Sequence, residues 1–113
     1  MKSPLNYIKH IQDELNFLLT ESSTLTENEF YSDNIKKRAF VRSFEIIGEA
    51  TKNIPDDFRE KYPAIEWKKM AGFRDRLIHA YFDVDYQIVW QIIKDKLPNL
   101  EKDIQLIISK ETE

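Results

Sequence analysis

Residues 34–54 read NIKKRAFVRSFEIIGEATKNI, and this stretch decides the fold. Phe40, Phe44, Ile47 and Ile54 recur at helical spacing and form one apolar stripe. Ala39, Ile46 and Ala50 form a second, about 100° around the axis. A helix apolar over so wide an arc packs on two neighbours, so it is either the central helix of a bundle or one that also meets another subunit. Asp33 can cap its start, and Pro55 ends it. Gly48 costs such a helix about 1 kcal/mol relative to alanine, and close approach of a neighbouring backbone is the physical reason to tolerate it.

Working outward, Ser3 can cap a helix with Pro4 in its first turn, and Ile8, Ile11, Leu15, Leu18 and Leu19 carry that helix over about 4–20. Residues 21–26 form a polar loop, and Thr26 with Glu29 fits a capping box that starts a short helical turn. Residues 55–62 read as a short helix or turn stopped before Pro63. From Ala64 the helical pattern resumes through Trp67, Met70, Phe73, Leu77 and Ala80, with a kink or break expected at Gly72. Asp83 and Asp85 open a last helix, striped by Val89, Ile92, Ile93, Leu97, Leu100, Ile104 and Ile107, which is expected to bend at Pro98. There is no convincing strand. The expectation is one all-α domain over residues 1–113, an antiparallel bundle of four or five helices.

Composition narrows the function. With no cysteine among 113 residues, disulfides, thiolate metal sites and cysteine nucleophiles are excluded, and two histidines leave little for a metal site. Two glycines argue against a glycine-rich phosphate loop. No apolar run reaches the roughly 20 residues of a membrane span and no signal-peptide core follows Met1, so the expected location is cytoplasmic. The net charge of −3 does not suggest a protein that coats nucleic acid. Yet residues 35–76 carry eleven bases against seven acids, so positive potential concentrates in the middle third. Each basic cluster reads first as a solvated helix face, and beyond that as a local grip on an anionic partner.

The chemistry concentrates in residues 72–82, GFRDRLIHAYF. On a continuous helix Arg74 and Tyr81 stand on one line, while Asp75 and His79 share another face, where Asp75 can accept a hydrogen bond from the imidazole. Ile78 and Phe82 lie outside the core stripe and call for a second packing partner. Arg74 and His79 diverge by about 140°, so one helix cannot close both on one small group, whereas two copies facing each other can. Imidazole passes a proton near neutrality and guanidinium grips a phosphate. Together they suffice, without metal, to activate an RNA 2′-hydroxyl against the adjacent phosphodiester. Taken singly, His79 reads as a surface histidine paired to Asp75, Tyr81 as a boundary aromatic, and Arg74 as an ion-paired side chain.

Arg74-x-x-x-x-His79-x-Tyr81 resembles the R-x-x-x-x-H-x-Y signature of HEPN domains of the HepT type. The resemblance extends through Arg38-Ala39-Phe40, Arg42 to Ala50, Tyr62-Pro63-x-Ile65-x-Trp67, Ala71 to Asp75 and Asp85-x-x-x-Val89-Trp90, in that order over nearly the whole chain. It implies a homodimeric HEPN-type bundle with a composite cleft, acting as the metal-independent endoribonuclease toxin of a toxin–antitoxin pair. It implies an RNA substrate, mRNA or tRNA, no cofactor, and an MNT-type nucleotidyltransferase antitoxin that can transfer AMP to Tyr81. On this resemblance His79 is the general acid or base and Arg74 holds the scissile phosphate. Asp75 orients His79 or the opposing chain's Arg74, and Tyr81 is the regulatory acceptor. Lys68, Lys69 and Arg76 are candidates for RNA backbone contacts. Two rivals remain: a non-catalytic nucleotide- or RNA-binding module, and a structural helical dimer whose motif residues form interchain ion pairs.

Overall fold

Local chemistry starts most of the helices. In the computed structural model, which describes residues 3–80 and 82–112, the Thr26 hydroxyl accepts from the Glu29 N–H at 3.1 Å, and the Glu29 carboxylate accepts from the Thr26 N–H at 2.9 Å. This capping box opens α2 (Glu27–Ser32), which follows α1 (Pro4–Ser22). Asp33 accepts from the Lys36 N–H and starts α3 (Asn34–Lys52). After α4 (Asp56–Lys61) and α5 (Trp67–His79), Asp85 accepts from the N–H groups of Gln87 and Ile88 to open α6 (Tyr86–Asp95), and α7 (Leu97–Glu111) completes the bundle. The fold is an all-α bundle. Among the described residues five helices have ten residues or more, and two short ones make the corners.

α3 is the central helix, as its wide apolar arc requires. It packs most extensively on α5 and on α1, while α1 packs on its other side against α7. Ile8, Ile11, Leu15 and Leu18 of α1 are fully buried, as are Phe30 and Phe40. Phe30 stacks between Phe40 at 5.2 Å and Trp90 at 5.3 Å, which ties α2, α3 and α6 into one cluster. Arg59 reaches back over the end of α3, donating from Nη2 to the Thr51 carbonyl at 2.6 Å and from Nε to the Ile54 carbonyl at 3.0 Å. A cation at the carboxyl end of a helix satisfies its last carbonyls and opposes its dipole. At the far end, Glu111 accepts from the Tyr62 hydroxyl and from Lys61 Nζ, which fastens α7 to the α4 corner.

Four expectations need correcting. Ser3 makes no side-chain cap on α1, whose start rests on Pro4. Gly72 neither kinks nor breaks α5, which runs unbroken from Trp67 to His79. That helix stops at His79, with Ala80 at φ −108° and ψ 34°, so Phe82 is not on its surface but in the following turn, 88% exposed. The bend at Pro98 is a full interruption at Lys96, which makes the last helix two; Pro98 sits in the first turn of α7, where its missing N–H costs nothing.

A Cβ placed at Gly72 meets nothing within 4 Å. Gly72→Ala therefore raises the stability of the single chain by about 1 kcal/mol, read as a higher midpoint in urea unfolding. A lower midpoint would mean that a second chain covers this position.

Candidate functional site

The site is built on the contact between α3 and α5. A Cβ at Gly48 would fall within 3.0 Å of both Cβ and Cγ of Arg74, and 3.2 Å from the Met70 carbonyl oxygen. The missing side chain thus lets the stem of Arg74 lie on the backbone of α3. This is the close approach that a glycine inside a long helix leads one to expect, and it fixes the side chain at the root.

The guanidinium is held from two sides. Nη2 lies 3.1 Å from Glu49 Oε2, and Nη1 donates to Asp75 Oδ1 at 3.1 Å. Asp75 also accepts from Lys52 Nζ on α3. Glu49, Arg74, Asp75 and Lys52 therefore form a chain of alternating charge, neutral in sum. The Arg74 side chain is 26% exposed and its Nε is buried without a partner among the described residues, whereas those of Glu49 and Asp75 are 58% and 47% exposed. The carboxylates lie on the solvent side of the cation. An incoming phosphate can replace Glu49 on Nη2 without unpacking the stem.

Asp75 does not contact His79 within the chain. The i, i+4 spacing makes that pair available, but Lys52 and Arg74 offer full positive charges within hydrogen-bond distance, and Asp75 bonds to those. The Lys52 and Arg74 hydrogen bonds hold the Asp75 carboxyl below its ordinary 3.8. The folded-state value is depressed, so the stabilising effect of this pairing is present above the unfolded value and disappears as pH falls through the folded one. A carboxyl-detected NMR titration should give Asp75 a midpoint below 3.8, and Lys52→Ala should move it upward. A midpoint at or above 3.8 in the unsubstituted chain would remove the network.

His79 is the last residue of α5 and is exposed, with no hydrogen bond or ion pair among the described residues. It points about 140° away from Arg74 around the helix. Its own face carries Lys68, Gly72, Asp75 and Arg76, with Lys69 at the edge, tied to Glu66 at 2.6 Å. Lys68 and Arg76 are exposed. The structure thus pairs Arg74 with Asp75, leaves Arg74 on a different side of α5 from His79, Lys68 and Arg76, and forms no hydrogen bond between Asp75 and His79 among the described residues. Tyr81 lies outside the described residues. Among those residues there is no cluster of three His, Cys, Asp or Glu that could hold a metal ion, and no helix long and apolar enough to cross a membrane.

Glu49 and Lys52 are the residues that sequence reasoning missed. A signal existed: both lie within one helical turn of Gly48, so once that glycine is taken as the contact point they become the natural neighbours of whatever crosses there.

Comparison with known proteins follows the same lines. The model of the HepT-like family, described as ribonuclease HepT-like, matches residues 5–107. The chain is 48% identical over 111 residues to a protein of Caldanaerobacter subterraneus subsp. tengcongensis named as a candidate RNase, covering 98% of this chain and 99% of that one. It is 42% identical to a protein of Methanocaldococcus jannaschii named in the same way, covering 90% of this chain and 84% of the relative. A protein of Thermococcus cleftensis named "Probable ribonuclease HepT" is 38% identical, with 88% and 91% covered. No solved structure matches significantly.

Proposed function

The chain belongs to the HepT-like ribonuclease family, and from that premise we propose that it is a metal-independent endoribonuclease, the toxin of a toxin–antitoxin pair, working in the cytoplasm as a homodimer. Arg74 binds the scissile phosphate and His79 transfers the proton. The RNA 2′-oxygen attacks phosphorus, the bond from phosphorus to the 5′-oxygen breaks, and the products are a 2′,3′-cyclic phosphate and a 5′-hydroxyl. The observation that carries this reading is the division of the motif over two faces of α5. An anion site backed by α3 and an exposed imidazole belong to one mechanism only if the His79 of one copy meets the Arg74 of another. Lys68, Arg76 and Lys69 on the histidine face then follow the RNA backbone.

The partner is an MNT-type nucleotidyltransferase that adenylylates Tyr81, two residues beyond His79. A phosphodiester there adds negative charge and bulk beside the cleft and competes with RNA. The substrate is mRNA or tRNA.

One observation favours a second reading. Both outer nitrogens of Arg74 already hold carboxylates, as they would in a structural ion pair or a binding module that never cleaves. The test is cleavage of a labelled RNA by the purified chain in excess chelator, with end-group analysis and intact mass after co-expression with an MNT-type nucleotidyltransferase. Cyclic-phosphate ends and an AMP-sized increment on Tyr81 are expected. RNA bound but left intact would establish the second reading.

A further inference from the structure

A cleft of about 300 Å³ opens between α1, α3 and the carboxyl-terminal half of α5, with Arg74 in its wall. Its apolar lining comes from Ile46, Ala50 and Ile78. This is one of the roles of Ile78, which the core of the bundle does not use. The polar groups around the lining come from α1 and from α3 with its C-cap, and have bonding capacity left over. The Tyr7 hydroxyl and the His10 imidazole make no hydrogen bond among the described residues. Asn53 spends one amide hydrogen on the Glu49 carbonyl at 2.9 Å, which leaves its other N–H and its Oδ1 side by side. Arg42 has only a loose pair with Glu45 at 3.8 Å. An apolar lining with a few convergent polar groups, at about 300–1,000 Å³, is what a small-ligand site looks like.

The geometry points to a nucleotide-binding subsite: the cleft seats the RNA nucleotide that adjoins the phosphate on Arg74, and Tyr7 and Asn53 set the base preference. Apart from Glu45 and Glu49, which also line the cleft, pair with Arg42 and Arg74 and must give way to phosphate, each component has a matching partner on a nucleotide. An aromatic ring and aliphatic side chains offer a face for a base. A carboxamide with a free donor and acceptor suits a base edge. A second guanidinium, Arg42, suits the next phosphate. Arg74 belongs to both sites, so a nucleotide seated here has one phosphate at the proposed reaction centre. The specificity role rests on the ribonuclease reading, but nucleotide binding in the cleft does not.

The experiment is an NMR titration of the ¹⁵N-labelled chain with the four nucleoside 3′- and 5′-monophosphates, and with inorganic phosphate. Amide shifts at Tyr7, His10 and Asn53 that inorganic phosphate does not reproduce, with affinities differing between bases, are the expected result. Tyr7→Ala and Asn53→Ala should each weaken the preferred nucleotide about tenfold, in line with the loss of a stacked ring or a base contact. Asn53 lies exposed at the end of α3, so its variant folds whether or not that of Tyr7 does. The inference is overturned if shifts stay on α5, if inorganic phosphate reproduces them, or if Asn53→Ala binds all four bases as the parent does. It is also overturned if the variants change the oligomeric state instead of the affinity. RNA cleavage without base-dependent shifts removes this subsite and leaves the ribonuclease. Base-dependent shifts without cleavage leave the nucleotide site and remove the ribonuclease.

Discussion

His79→Ala abolishes RNA cleavage while the bundle remains folded. Removing a positioned acid or base costs about 10²- to 10⁴-fold in rate. The side chain is exposed and bonded to nothing among the described residues, so its removal opens no cavity and orphans no buried group. Circular dichroism and the urea midpoint should therefore stay close to those of the parent, and RNA affinity should persist through Arg74 and the basic face. A variant that cleaves at the parental rate would sink the assignment. An unfolded variant would show that His79 is held by a contact across a subunit interface.

Gly48→Ala damages stability and activity together. The added Cβ would collide with the root of Arg74, its Cβ and Cγ, and not with a flexible tip that can swing away. The helices must separate or Arg74 must change rotamer. Overpacking of this kind costs about 1–3 kcal/mol, against about 1 kcal/mol gained from replacing glycine in a helix. The larger consequence is positional. A guanidinium displaced by about 1 Å loses on the order of 100-fold in rate. The expected pair of results is a modestly lower unfolding midpoint and a large fall in cleavage. The same substitution at Gly72, where space is open, serves as the control with the opposite sign on stability. Parental cleavage by Gly48→Ala would mean that the position of Arg74 is immaterial, and with it the phosphate role.

The two glycines show how far a sequence can be read. Gly48 was legible because a costly residue in a strongly striped helix needs a compensating contact, and Arg74 supplies it. Gly72 was misread, because a glycine is compatible with a helix when nothing else disrupts it. The end of α5 was equally illegible. No proline or glycine lies between Leu77 and Phe82, and helical periodicity continues through them, yet the chain turns after His79 so that the Asp83 N–H bonds to the Ala80 carbonyl.

The same division runs through the whole molecule. Periodicity and caps are local, so the all-α class, the Thr26–Glu29 box, the Asp33 and Asp85 caps and the two-sided packing of α3 could be derived from the sequence by itself. So could the divergence of Arg74 from His79, which needs only the pitch of a helix. The partners of the charged residues could not. Asp75 had a ready neighbour in His79 four residues on, and it pairs instead with Arg74 and with Lys52, 23 residues away. Glu49 holds Arg74 from another helix. Only tertiary structure decides such pairs, because a charge is stabilised by the opposite charge that packing brings within hydrogen-bond distance, and the sequence separation of the two does not enter that energy.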